Sequence, residues 1–305
     1  MLDFLILYEH KARELENICL LKVELEYRGY SVEILNIRDL NRLRYLLWKK
    51  PKVLLTFALY DDQDFYGHVN SIVGHINKVV NLQWEQVLSK KELENDGLHN
   101  PKGKAAFAVH LCWGKKTYNR LIAAGVKNAL ITGPIQIDFL RKDFDNYYYS
   151  KDEIKNMYNL GDNRILLYIS SFVMANISEG SKKYLENRLG ISVDDSIRNA
   201  YESKRDTLEW FKSLMNSSKD ITVIYRPHPA EKNDEVLSEL EKEYKNFKVI
   251  SDFSVKQWIK ISDDIFTWFS TSIVEVYFAN KNCCVIRPQK IDESRDAVIY
   301  KGAKI

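Results

Sequence analysis

Residues 221–231 read ITVIYRPHPAE. Ile221–Ile224 is a β-branched run that reads as a strand, and Arg226-Pro227-His228-Pro229 stops it. Prolines on both sides of His228 fix their neighbours' backbone angles, so the chain itself aims the imidazole. An aimed histidine beside Arg226 at a strand's carboxyl end suits an anionic group such as phosphate. The plainer alternative is a rigid turn with a solvated histidine.

Elements alternate on both sides of this stretch. Strands are expected at Arg164–Ser170, Phe247–Ile250, Asp264–Trp268 and Cys283–Ile286, with helices at about Asp195–Asn216, Asp234–Tyr244, Val255–Ile261 and Thr271–Ala279. Ser270-Thr271-Ser272 falls where a strand hands over to a helix. Hydroxyls and unpaired amides at such a start form an anion site. Glu275 stands at the spacing of a capping box with Ser272, which is the plainer reading of that pair. In a parallel sheet the two strand ends share a rim, so His228 and Ser270–Ser272 converge on one anion.

The first half has the same rhythm. Strands are expected at Asp3–Tyr8, Ser31–Ile37, Val53–Leu59, Lys78–Gln83, Ala105–Leu111 and Ala129–Thr132, and helices at Ala12–Arg28, Arg38–Lys49, Gly67–Asn77 and Lys115–Ala124. Strand–helix alternation of this kind argues for parallel sheets covered by helices. At 305 residues the chain exceeds one ordinary core of up to about 250 residues, so two domains are expected. The polar, aromatic stretch 146–163 reads as the linker between an amino-terminal domain, 1–145, and a carboxyl-terminal one, 164–305. Ligands of open parallel sheets bind beyond the strands' carboxyl ends, which directs attention to the residues after Leu82, Ile224 and Phe266 and to a cleft between the halves.

Bulk properties remove several classes. The 45 basic and 42 acidic residues nearly cancel, for a net +3, without the uniform field of a nucleic-acid binder. Cys19, Cys112, Cys283 and Cys284 have no CxxC spacing and sit in apolar runs, as buried thiols of a reducing cytoplasm do. The opening residues lack the pattern of a cleaved leader, and no run approaches the about 20 apolar residues that span a bilayer.

RPHP after one strand, then SDD-x5-STS-x2-E from Ser262 to Glu275 ahead of NCCVIRP at 282–288, resembles the carboxyl-terminal half of bacterial surface-polysaccharide glycosyltransferases of the GT-B fold. These include capsule polysialyltransferases and Kdo transferases, with teichoic acid glycerophosphotransferases more distant. Upstream, Cys112–Lys115 and Ile131–Asp138 are similar to amino-domain motifs of the same group, so the likeness runs in order through most of residues 75–290. It implies two Rossmann-like α/β domains and transfer of a sugar from a nucleotide donor, CMP- or CDP-linked, to a growing glycan or lipid-linked acceptor. It implies no cofactor and no obligatory metal. His228, with Arg226 and Pro229 beside it, would meet the donor phosphate, Ser270, Thr271 and Ser272 would hold phosphate, and Glu275 would take the ribose hydroxyls. His10 and Gly133 fall on the acceptor side. The chain departs from the group in running from Gly133 straight into Pro134 and in carrying Gln136 where a basic residue is usual. Members also continue past the last strand with helices that cross back, so the stop at Ile305 implies a truncated end. A teichoic-type glycerol- or ribitol-phosphate transferase and a non-catalytic nucleotide-binding module are the rivals.

An acceptor hydroxyl needs a base. Glu85, in NLQWEQ after a strand, is the first candidate, its plain reading being an exposed loop acid. Asp138 is the second, its plain reading a helix N-cap. His68 and His75, seven apart, read as a half-buried surface pair on one helix face. Asp62-x-Asp64 is only a formal match to a metal-binding DxD. Residues 42–50, RLRYLLWKK, mix basic and aromatic side chains as interfacial helices do, suiting peripheral contact with the membrane's inner face. A core-facing amphipathic helix is the plainer alternative.

Overall fold

The computed structural model describes residues 2–94, 99–231 and 234–303; the carboxyl end at Ile305 lies outside them. The chain divides into two compact units, the first closing at Asp143 and the second opening at Phe144.

In the first unit, strands β1 (Leu2–Tyr8), β2 (Val32–Asn36), β3 (Pro51–Thr56), β4 (Val79–Asn81), β5 (Val109–Cys112) and β6 (Ala129–Ile131) form one parallel sheet in the order β2-β1-β3-β4-β5-β6. β1 is interior, and Leu5, Ile6 and Leu7 are wholly buried, which is why it is a near-continuous apolar run. Helix Glu16–Tyr27 follows a π turn at Lys11–Leu15, and Gly29 ends it at φ +88°, a conformation glycine adopts without strain. Residues 105–107, expected to open a strand running to Leu111, belong instead to a 3-10 turn, Gly103–Phe107. The helix expected at Gly67–Asn77 stops at Val73, because Gly74 turns to φ +67°. That separates the two histidines: the His68 ring binds the Ala58 carbonyl at 2.9 Å, and His75 is exposed beyond the break.

In the second unit, β7 (Arg164–Ile169), β8 (Ile221–Arg226), β9 (Phe247–Val249), β10 (Asp264–Thr267) and β11 (Cys284–Val285) make a parallel sheet in the order β11-β10-β7-β8-β9. Strand order reverses at β7, the switch point at which doubly wound sheets bind ligands. Residues 146–163, expected as linker, contain helix Lys151–Tyr158, closed at its start by a Ser150–Glu153 capping box. A further helix, Glu179–Leu189, precedes the long helix Asp194–Ser217.

Aromatic side chains fill much of this unit's core. Tyr168 and Tyr225, neighbours across β7 and β8, stack at 5.5 Å, Phe211 meets Tyr168 edge-on at 5.2 Å, and Phe172 stacks on Trp268 at 4.8 Å. All four cysteines are free, and Cys19 is exposed rather than buried; its helix turns that position away from the sheet.

Phe211 is fully buried among Tyr168, Tyr225 and Phe247. Phe211→Ala is expected to cost about 3–5 kcal/mol, read in urea unfolding followed by near-ultraviolet circular dichroism.

Candidate functional site

Across the second sheet, Arg226, Ile169 and Thr267 stand in one row, so the segments after β8, β7 and β10 emerge at one rim. Strands about 4.8 Å apart put the loops after β8 and β10 on either side of Ser170-Ser171, and those two serines bind both. The Ser170 hydroxyl donates to Glu231 Oε2 at 2.6 Å, and Ser171 Oγ accepts the Phe269 amide at 3.0 Å.

Glu231 is the centre of this rim. Its side chain is 1% exposed and lies 2.8 Å from Lys204 Nζ, itself 5% exposed. Tyr225 OH donates to it at 2.8 Å and the His228 amide at 3.2 Å. Lys204 also meets Asp234 at 2.8 Å, and that contact and its hydrogen bonds hold the Asp234 carboxyl below its usual range although burial pushes it up. The buried carboxylate therefore ties the RPHPAE loop to the sheet and to the long helix.

Within that loop the Ala230 amide donates to His228 Nδ1 at 3.1 Å. A neutral imidazole so engaged carries its proton on Nε2. His228 is half-buried and Pro229 exposed.

Arg226 has a different task from the one expected of it. Its guanidinium donates to the carbonyls of Ile250 at 3.3 Å, Asp252 at 2.7 Å and Phe253. Only 6% of the residue is exposed, and burial pulls its pKa down to about 10. Arg226 spends these donors on the loop after β9, farther along the same carboxyl rim.

At the neighbouring corner, Thr267 Oγ1 accepts the Ser270 amide at 3.2 Å, and Ser270 Oγ accepts the Ser272 amide at 3.2 Å. Ser270 is 7% exposed, and its carbonyl accepts from Tyr300 OH at 3.0 Å. Thr271 is exposed and Ser272 half-buried. Ser272 makes no side-chain cap on helix Ile273–Phe278, so the Ser272–Glu275 capping box does not form. The turn is built by Thr267 and Ser270, which leaves Thr271 and Ser272 as the outward hydroxyls; Glu275 is half-buried one turn on. A recess of about 440 Å³ lined by Asn159, Asn163, Thr222 and Asn246 lies at the amino ends of β7, β8 and β9, the opposite rim from His228.

In the first unit, Glu85, His10 and the Gly133–Asp138 segment also share a carboxyl rim. Glu14 is fully buried and accepts the amides of Glu9 at 2.7 Å and His10 at 3.3 Å, together with Arg13 Nε at 2.9 Å. Arg13 then reaches Glu85 Oε1 at 2.8 Å. Asn17 donates to the Ile135 carbonyl at 2.7 Å, and Gln136 to that of Trp84 at 3.5 Å. Gly133 lies at φ +83°. Asp138 sits within the 3-10 turn Ile135–Leu140, whose N-cap is Pro134, so it is no cap. Asp62 Oδ1 accepts the Lys104 amide at 2.6 Å and Asp64 Oδ2 the Tyr60 amide at 3.0 Å, which accounts for both acids of the DxD as loop-building residues.

Behind Glu85, buried Asn81 donates to His110 Nδ1 at 3.1 Å and accepts the Gln83 amide at 3.1 Å, fixing Gln83 at φ +47°. His110 Nε2 donates to the Ala105 carbonyl at 2.9 Å, and with the Asn81 amide donating to Nδ1 the ring is the neutral Nε2–H tautomer.

Among the solved structures that resemble the chain, three illustrate the likeness. S. aureus MnaA with UDP has 14% sequence identity and a TM-score of 0.60 over 100% of this chain and 84% of that one. The wall teichoic acid polymerase TagF, as an H444N variant, has 13% identity and a TM-score of 0.56 over 93% and 69%. A candidate UDP-N-acetylglucosamine 2-epimerase from Listeria monocytogenes has 15% identity and a TM-score of 0.55 over 94% and 79%. No protein-family model and no curated protein matches. The fold is GT-B-like, with two Rossmann-like α/β units.

Two stability measurements check these networks. Lys204→Met strips the cation from buried Glu231 and half-buried Asp234 and is expected to cost about 3–5 kcal/mol in urea unfolding, whereas Lys204→Met/Glu231→Gln recovers part of the loss. Burial holds the His110 pKa below the 6.5 of a free imidazole, against a smaller upward pull from the Ala105 carbonyl. A depressed folded-state pKa means that stability is complete above about 6.5 and is lost as pH falls through the folded value. His110→Gln is expected to flatten that part of the wild-type melting-temperature profile.

Proposed function

We propose that the protein transfers a sugar from a nucleotide-activated donor to a growing surface glycan or lipid-linked acceptor. The observation that carries the reading is the second unit's rim. There a histidine with its proton on Nε2 and the Thr271–Ser272 hydroxyls stand at loops fastened to the same pair of serines, at the sheet's switch point. Such groups stabilise negative charge as it develops on a departing phosphate. His228 donates to the phosphate, Thr271 and Ser272 hold its oxygens, and Glu275 takes the ribose diol. Arg226 keeps the rim in shape.

The resemblance in the motifs favours a CMP- or CDP-linked donor, and the UDP in the S. aureus structure makes uridine nucleotides the first rival. Glu85 is the proposed base, oriented by Arg13, with Asp138 second; His10 and Gly133 line the acceptor side. The phosphate chemistry is carried by these side chains without an obligatory metal or cofactor. The fold likeness to the teichoic acid polymerase favours glycerol- or ribitol-phosphate transfer as the second reading, which would use the same phosphate groups.

Calorimetric titration with CMP, CDP, UDP and GDP tests the nucleotide site, and heat with none of them contradicts the proposal. His228→Ala is expected to weaken nucleotide binding and to lower turnover about 10²–10³-fold. Glu85→Gln is expected to leave nucleotide binding intact and to lower turnover about 10²–10⁴-fold; a near-normal rate would reassign the base.

A further inference from the structure

Residues 40–48 do not behave as a core-facing helix. A 3-10 turn, Leu40–Arg42, runs into the short helix Leu43–Leu47, and only Tyr45 is buried, its hydroxyl donating to Glu33 at 2.6 Å. Leu40 is 90% exposed, Leu43 55%, Leu46 40%, Leu47 61% and Trp48 82%. Leu40, Leu43 and Leu47 recur at i, i+3 and i+7, a single face turned away from Tyr45. Water gains nothing from such a stripe, and clustered exposure of this kind marks a contact surface.

The charge around the stripe is basic in excess. Within the segment Arg38, Arg42, Arg44, Lys49, Lys50 and Lys52 are accompanied in sequence by Asp39, whose carboxylate accepts the Asn41 amide at 2.8 Å, and in space by Glu9, Glu33 and Asp3. Arg38 pairs with Glu9, Arg44 and Lys49 with Glu33, and Lys52 with Asp3. Among the described residues, Arg42 and Lys50 have no carboxylate partner.

We propose that this face docks on an anionic phospholipid bilayer. Leucines and a terminal tryptophan sink into the boundary between headgroups and acyl chains, while the flanking cations meet lipid phosphates. A basic collar around an apolar stripe matches an extended anionic surface better than it matches a second copy of this chain, whose own stripe would bring the same charge. Among the described residues no helix is long and apolar enough to cross a membrane, so the contact is with the surface. The inference stands on this patch alone and holds or fails whatever the protein transfers, because lipid binding is read without donor or acceptor.

The experiment is co-sedimentation of the full chain with phosphatidylglycerol–phosphatidylcholine vesicles and with pure phosphatidylcholine vesicles. Binding to the anionic vesicles is expected to be about tenfold or more above the zwitterionic ones and to fall with salt. Leu40→Ser/Leu47→Ser/Trp48→Ser, verified as folded by circular dichroism, is expected to lose about tenfold or more of it. Arg42→Gln/Lys50→Gln is expected to weaken the preference for the anionic lipid. The proposal is overturned if the full chain stays in the supernatant with anionic vesicles or if the triple variant binds as its parent does. It is also overturned if the triple substitution abolishes self-association in sedimentation velocity while leaving vesicle binding unchanged.

Discussion

A carboxylate removed from water must be met by donors or lose its charge, and the second unit is arranged around one that has been met. Glu231 receives Lys204, Tyr225, Ser170 and the amide of His228, four donors that come from a helix, two strand ends and its own loop. Once it is seated, Pro227 and Pro229 leave the intervening chain little freedom, and the Ala230 amide fixes the ring's tautomer. The orientation of His228 is thus decided beneath the surface, by groups that need never touch a ligand.

The first unit repeats the device with other residues. Buried Glu14 holds two amides at the end of β1 and clamps Arg13, which places Glu85. Neutral His110 holds Asn81, which bends the chain at Gln83 two residues before Glu85. In both units an outward side chain stands on a buried polar relay, and such relays hold geometry only while every member is satisfied. Stability and activity are therefore coupled at positions remote from the rim.

Most strands were legible because parallel strands covered on both faces are short apolar runs between polar ones, and β1, β7 and β8 read that way directly. Helix Lys151–Tyr158 was hidden by the polar, aromatic segment around it; its signal was the Ser150-x-x-Glu153 spacing of a capping box. The turn at 103–107 was missed because Ala105–Phe107 is apolar without being extended. His228 and Ser270–Ser272 could be found from local pattern, since prolines and clustered hydroxyls announce themselves. The role of Arg226 could not, because its partners are carbonyls on another strand's loop. Glu231 and Lys204 lie 27 residues apart and no local pattern joins them. The one available hint is that Lys204 falls on the buried face of its helix with Ala200, Leu208, Phe211 and Met215, where a lone cation needs an anion.

In the proposed reaction one phosphate is shared between the histidine loop and the hydroxyl corner of the second unit. A crystal structure with a pyrimidine nucleoside diphosphate tests it most directly. Phosphate oxygens are expected within hydrogen-bond reach of both His228 Nε2 and the Thr271–Ser272 corner. A diphosphate seated at the amino-end recess beside Asn163 and Asn246, or touching neither loop, would contradict it.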